Sequence, residues 1–149
     1  MNRYISLNRF GLLMVVAGIM IPASKAMASP RAYSAHGTAN FTSPTTFVGR
    51  GNATHLGRYT EAGSVTLTPT DNPAVFQLSG SIVYTAANGA QLFASFTGTL
   101  NGATGAISAT LTYTGGTARF ATATGSALLS GQMGPDGIIS VDVNGTIDY

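Results

Sequence analysis

The sequence predicts an all-β fold, a single antiparallel up-and-down β-barrel of about eight strands, with a β-sandwich as the alternative. Large apolar side chains alternate with small hydroxylated ones over most of the chain, as they do in strands that bury one face. Turn-forming combinations of Asn, Asp, Gly and Pro separate these runs, and no apolar stripe at helical spacing extends over three turns beyond the first segment. Consecutive hairpins close most economically as a barrel, because closure removes the exposed edge strands.

The alternation is clearest in the middle and at the end of the chain. In the run 75–86, Leu78 and Ile82 face one way, while Ser79 and Ser81 face the other. The same pattern returns in three later runs. Strands are predicted near residues 40–49, 52–58, 62–68, 75–86, 90–100, 105–114, 118–130 and 138–148.

Paired turn residues mark the connections between these strands. Asn88-Gly89 and Asn101-Gly102 lie between alternating runs and predict hairpins with type I′ turns, in which both central residues have positive φ. Asn144-Gly145 lies inside an alternating run, where a bulge is as good an interpretation as a turn. Asp71-Asn72-Pro73 and Pro135-Asp136-Gly137 predict two further turns.

The first 28 residues have the order of a secretory signal peptide. Arg3 and Arg9 make the start basic, an uncharged stretch follows, and Ala26-Met27-Ala28 fits the usual cleavage pattern. The apolar run is shorter than the roughly 20 residues that span a bilayer, so no membrane span is expected after cleavage. The predicted organisation is a signal peptide at 1–28, a flexible leader at 29–37 and a β-barrel domain at 38–149. The mature protein is expected to be exported, either to the periplasm or out of the cell.

Charge and composition exclude several classes of function. Residues 29–149 contain four Arg and no Lys against five acidic residues, a formal charge of −1. Nucleic acid is therefore not an expected partner, because binding it requires a basic face with several phosphate contacts. The absence of Cys excludes disulfides, thiolate metal sites and cysteine nucleophiles. Two His are too few for a metal site, and no catalytic or cofactor motif is complete, so neither catalytic residues nor a cofactor is predicted.

Ionisable residues are scarce enough that each can be considered separately. If the segment around 49–61 is extended, His55, Tyr59 and Glu61 share one face and Arg58 lies on the other. His55 and Glu61 are then about 20 Å apart, too far for a base and its orienting carboxylate. Arg58 and Arg119 are suited to gripping a ligand carboxylate, with an internal ion pair as the alternative.

Two sets of residues follow as candidates for the site. The predicted ligand-binding residues are His55, Arg58, Tyr59, Phe96, Tyr113 and Arg119. The predicted lining of the barrel interior is Phe76, Tyr84, Phe96, Leu111, Tyr113 and Phe120. These side chains either surround a ligand or simply fill the barrel, as they do in many eight-stranded barrels.

One segment resembles a known family. The run Gly115-Gly116-Thr117-Ala118-Arg119-Phe120-Ala121-Thr122-Ala123-Thr124-Gly125 is similar to the G-G-T-G-[KR]-F-x-x-A-x-G segment of the allene oxide cyclase and dirigent-like barrel proteins, with Ala118 in place of a glycine. In spacing alone, residues 49–149 resemble uncharacterised exported bacterial proteins with this barrel. The resemblance implies an eight-stranded barrel with a central cavity, and a homo-oligomer, which is common in the plant members. The polar cavity residues of the cyclase have no counterpart here, so the fold is implied but not the activity.

These observations support one leading hypothesis of function and three alternatives. The leading hypothesis is non-catalytic binding of an apolar or weakly polar small molecule inside the barrel. A cyclase- or isomerase-like enzyme would need His55, Arg58 or Arg119 to point inward. An adhesin or structural protein would use the Thr- and Ser-rich outer faces and would have open sheet edges. A small outer-membrane barrel is the fourth hypothesis, although aromatic girdles are missing.

Overall fold

Eight antiparallel strands follow one another around a closed barrel in the computed structural model, which describes residues 29–149. The strands are β1 (Arg31–Ser43), β2 (Thr46–Ala53), β3 (Gly57–Pro69), β4 (Val75–Ala86), β5 (Gln91–Asn101), β6 (Ala106–Gly116), β7 (Thr124–Met133) and β8 (Ile138–Asp148). A short 3-10 helix, Ala118–Phe120, lies in the connection from β6 to β7. The predicted up-and-down barrel is confirmed, and the predicted signal peptide at 1–28 lies outside the described residues.

Strand β1 closes the barrel by pairing with β2 on one side and with β8 on the other. Ala35, for example, lies opposite Ala53 of β2 and opposite Val143 of β8. The eight described strands therefore leave no open edge, whereas the adhesin hypothesis requires one. No helix within residues 29–149 is long and apolar enough to cross a membrane.

The predicted leader at 29–37 and the domain start at 38 are wrong, because residues 31–37 belong to β1. Tyr33 and Ala35 point into the barrel, with 3% and 6% of their surfaces exposed. The alternation in this segment is carried by Ala and Gly beside one Tyr, which gives a weak hydrophobic signal. The predicted strands at 40–49 and 52–58 consequently overlap the hairpin turns of the real β1, β2 and β3.

The hairpins at Asn88-Gly89 and Asn101-Gly102 are confirmed, but neither turn is type I′. Gly89 has a φ of +83°, whereas Asn88 and both residues of the second pair do not have positive φ. The Asn88 and Asn101 side-chain oxygens instead accept hydrogen bonds from backbone N–H groups further along each turn. Asn144-Gly145 continues the regular β8 ladder, so neither a bulge nor a turn forms there.

The two ends of the barrel differ in how they are covered. The connections 54–56, 87–90 and 117–123 lie at one end with both termini of the barrel, and this closed end is sealed by Phe120 and Leu56, which are buried. The other four connections lie at the opposite end, which we call the open end. Large apolar side chains there stay partly exposed: Phe41, Phe47 and Phe76 are half-buried, and Leu67 is 37% exposed.

Candidate functional site

A small apolar cavity occupies the half of the barrel interior nearest the open end. Its volume is about 70 Å³. The lining side chains come from all strands and are apolar with one exception, the carboxyl group of Glu61 on β3. The residues around the cavity are Ala39, Phe41, Phe47, Glu61, Val65, Leu78, Ile82, Phe96, Ile107, Ala109, Leu129, Ile139 and Val141.

Small residues on β1 and β2 make room for the large side chains of β3. A Cβ at Gly49 would lie 2.5 Å from a carboxylate oxygen of Glu61, so this glycine forms the wall against which the carboxyl group packs. Gly51 and Gly37 have the same relation to the Tyr59 hydroxyl, at 2.6 and 2.9 Å. The glycines of β1 and β2 thus allow a carboxyl and a phenol to lie inside the barrel rather than at its rim.

Burial raises the pKa of Glu61 to about 7. The cause is the loss of solvation of the carboxylate, which favours the neutral form. Arg50 and Arg58, although near in sequence, are exposed on the outer faces of β2 and β3. Within residues 29–149 the interior therefore offers Glu61 no cation, and its proton equilibrium lies near neutral pH.

Four tyrosines pack beneath Glu61 towards the closed end. Tyr59 and Tyr84 form one edge-to-face pair, and Tyr33 and Tyr113 form another, each with ring centroids 5.2 Å apart. Burial raises the pKa of all four phenols, and the charge of Glu61 raises it further at the first three named. The hydroxyls of Tyr33 and Tyr113 are both buried within this cluster.

The closed end carries a cluster of aromatic and basic side chains. The Arg119 guanidinium donates a hydrogen bond to the backbone oxygen of His55 and lies 4.9 Å from the ring centre of Phe120. Arg31 lies 4.7 Å from the ring centre of Tyr149, the last residue. The Nε2 atom of His55 is 2.9 Å from the backbone oxygen of Ala32. These contacts hold the loops over the closed end together.

A wider groove runs over the outside of the barrel. His36, Asn52, Arg58 and Asp142 lie in one row across four strands, and the groove has a volume of about 750 Å³. Its side chains are exposed on the outer sheet face. Small-molecule sites usually bury 70–90% of the ligand surface, and this open face does not.

The six predicted site residues lie in three different places. Tyr59, Phe96 and Tyr113 point into the barrel, with at most 8% of their surfaces exposed. His55 and Arg119 lie at the closed end, and Arg58 is on the outer face. The structure therefore does not bring His55, Arg58 and Arg119 together with Tyr59, Phe96 and Tyr113.

The residues expected to line the interior agree better with the structure. Tyr84, Phe96, Leu111, Tyr113 and Phe120 are buried. Phe76 is half-buried near the open end.

Glu61 and Tyr33 are two interior residues with polar groups that neither predicted set contains. Tyr59 and Glu61 do share a face, as the extended pattern predicts, but His55 leaves that face because it forms a turn with a φ of +68°. A single carboxyl residue two positions after a tyrosine that is expected to point inward lies on the same face of the strand. This spacing is a signal that could have identified Glu61 from the sequence. No group of three or more potential metal ligands occurs within residues 29–149.

Comparison of the chain with family models, curated proteins and solved structures returns no match. The resemblance of residues 115–125 to the allene oxide cyclase and dirigent-like proteins therefore stays a prediction, and the site must be interpreted from its own geometry.

Proposed function

We propose that this protein is an exported barrel that binds a small, mostly apolar molecule without chemically changing it. The observation that carries the proposal is the apolar cavity beside Glu61, which lies under a ring of half-buried side chains at the open end. Export is inferred from the signal-peptide pattern of residues 1–28. The cavity offers burial for apolar groups, which the hydroxyl-rich outer faces do not.

The size of the cavity limits how much of the ligand enters it. A cavity of about 150 Å³ accommodates benzene, so about 70 Å³ accepts only one slim end of a ligand. A second depression of about 370 Å³ lies at the rim, between Phe41, Pro44 and Leu67. Phe41 belongs to both linings, so the rest of the ligand would lie across this rim.

Binding without catalysis is favoured because the interior lacks paired reactive groups. Among the described residues, the cavity lining holds one carboxyl group, that of Glu61, and the pKa of each neighbouring phenol is raised above its ordinary value of 10, so these phenols do not exchange protons with it near neutral pH. His55, Arg58 and Arg119, which an enzyme hypothesis requires inside the barrel, lie at the closed end or on the outer face.

A cavity-filling variant tests this proposal. Ala39 lines the cavity and is 6% exposed, so Ala39→Leu is expected to fill the space and weaken binding of 1-octanol by at least tenfold. Ala62 lies on the outer face of the adjacent region of β3, and Ala62→Leu is the matched control that leaves octanol binding unchanged. Binding would be followed by NMR titration of the mature protein in detergent-free buffer. Equal octanol affinity in both variants, or no binding by the wild-type protein, would overturn the proposal.

A further inference from the structure

The single carboxyl group at the cavity sets the chemistry of the ligand. Glu61 packs against Gly49 on β2 and lies across from Tyr84 on β4, with Tyr59 two residues before it on β3. The charge of Glu61 also raises the pKa of Tyr33 on β1, so this phenol lies within its electrostatic reach. These neighbouring elements place phenols around the carboxyl group and no cationic side chain.

A carboxylate withdrawn from water without a partner is unfavourable, and a cation bound beside it offsets part of that cost. The described chain cannot supply this cation: residues 29–149 contain no Lys, and all four Arg are exposed outside the barrel interior. The phenol rings around Glu61 would also stabilise a cation bound there, because cations are attracted to aromatic faces. When Glu61 is ionised, a complementary charge would therefore have to come from the ligand.

The position of Glu61 along the barrel fixes the orientation of such a ligand. Leu67 at the rim lies six residues further along β3, which corresponds to about 15 Å along the barrel axis for strands with the usual rise and tilt. Apolar side chains line the path between these points. A linear molecule would thus place its charged head at Glu61, in the cavity of about 70 Å³, and direct its hydrocarbon tail towards the rim.

We infer that the ligand is an alkylamine, a linear apolar chain whose terminal ammonium group forms an ion pair with Glu61 inside the barrel. This inference rests on the proposed function, and it assigns to Glu61 the role of a specificity-determining residue. An alcohol of the same length would use the apolar path alone, and a fatty acid would place a like charge against the carboxylate.

Three ligands of equal chain length test the inference. Octylamine, 1-octanol and octanoate would be titrated into the mature protein at pH 6 and pH 8, with binding followed by NMR. Octylamine is expected to bind at least tenfold more tightly than octanol at pH 8. Its affinity is expected to fall about tenfold at pH 6, because protonation of a group with a pKa of about 7 competes with the ammonium. An alkylammonium group, like that of Lys, stays protonated at both values.

Glu61→Gln is the critical variant, and Asp142→Asn is its control. The amide in place of Glu61 should reduce the ratio of octylamine to octanol affinity to about one and abolish the pH dependence. Asp142 lies on the outer face, so its variant should keep both properties. Equal affinity for octylamine and octanol in the wild-type protein, or a preference for octanoate, would overturn the inference and leave the proposed function standing. Failure of all three to bind would overturn both.

Discussion

The free energy of unfolding is expected to depend on the proton at Glu61. Its pKa is about 7 in the folded protein and about 4.5 in the unfolded chain, so the folded state binds more protons between these values. Stability is therefore highest at and below about pH 4.5 as far as this group is concerned, and falls as pH rises through 7. The difference is about 3 kcal/mol at pH 8.

Urea unfolding at pH 5 and pH 8 measures this effect. Glu61→Gln should be more stable than the wild-type protein at pH 8 and should lose most of the change between the two pH values. The tyrosines do not contribute in this range, because burial raises the pKa of each above its ordinary value of 10. If the variant and the wild type show the same change with pH, Glu61 is not the group that titrates.

The connection from β6 to β7 illustrates how one short element closes the barrel. The glycine-rich run at 115–116 leads into the 3-10 helix Ala118–Phe120, where Ala118 has a φ of +52°. This left-handed residue stands where the family segment that residues 115–125 are predicted to resemble has glycine. It directs Phe120 into the core, where none of its surface is exposed, and leaves Arg119 on the outside against His55.

Two substitutions in this connection should lower the free energy of unfolding by amounts that differ several fold. Phe120→Ala removes a fully buried ring and is expected to lower the free energy of unfolding by about 3–5 kcal/mol. Arg119→Ala removes an exposed hydrogen bond and cation–π contacts, worth about 1 kcal/mol. Urea unfolding of both variants at one pH provides the comparison. Similar losses for the two would show that the loop does not seal the closed end through Phe120.

The elements that the sequence predicts well are those with strong alternation. Strands β4 and β8 have the predicted bounds, and β5 and β6 differ by one or two residues. Strands β1 and β2 were misplaced because Ala and Gly occupy most of their inward positions, which a hydrophobic pattern does not register. Those same small residues are what admit Glu61 and Tyr59 to the interior.

The candidate site was harder to predict than the fold, for a related reason. The inward direction of Tyr59, Phe96 and Tyr113 follows from alternation within their own strands. The role of Glu61 depends on Gly49, which faces it from β2. That relation cannot be predicted until the pairing of the two strands is known. His55 and Arg119 meet across 64 residues of chain, a contact that no local pattern encodes.

At the scale of the whole molecule, the interior of the closed barrel consists of two halves with different contents. Tyr33, Tyr113 and the other phenols fill the half near the closed end, while the half near the open end keeps the cavity. The pairing of β1 with β8 holds both halves together, and it involves the segment that the sequence pattern assigns to a flexible leader. How far the stability of the barrel depends on that segment can be measured directly.

Deleting residues 29–37 from the mature protein is expected to prevent stable folding. The deletion removes seven cross-strand pairs between β1 and β8, from Arg31 to Gly37, together with the buried side chains of Tyr33 and Ala35. It also leaves backbone N–H and C=O groups of β8, an apolar strand, without their partners on β1. An exposed strand edge of this kind favours aggregation. Deleting only residues 29–30, which precede β1, is the control and should leave the thermal midpoint unchanged. Size-exclusion chromatography and thermal unfolding would distinguish the two outcomes. If the protein lacking 29–37 is monodisperse and unfolds cooperatively, the barrel closes without the first half of β1. If it is aggregated or unfolds without cooperativity, as we expect, closure depends on that segment.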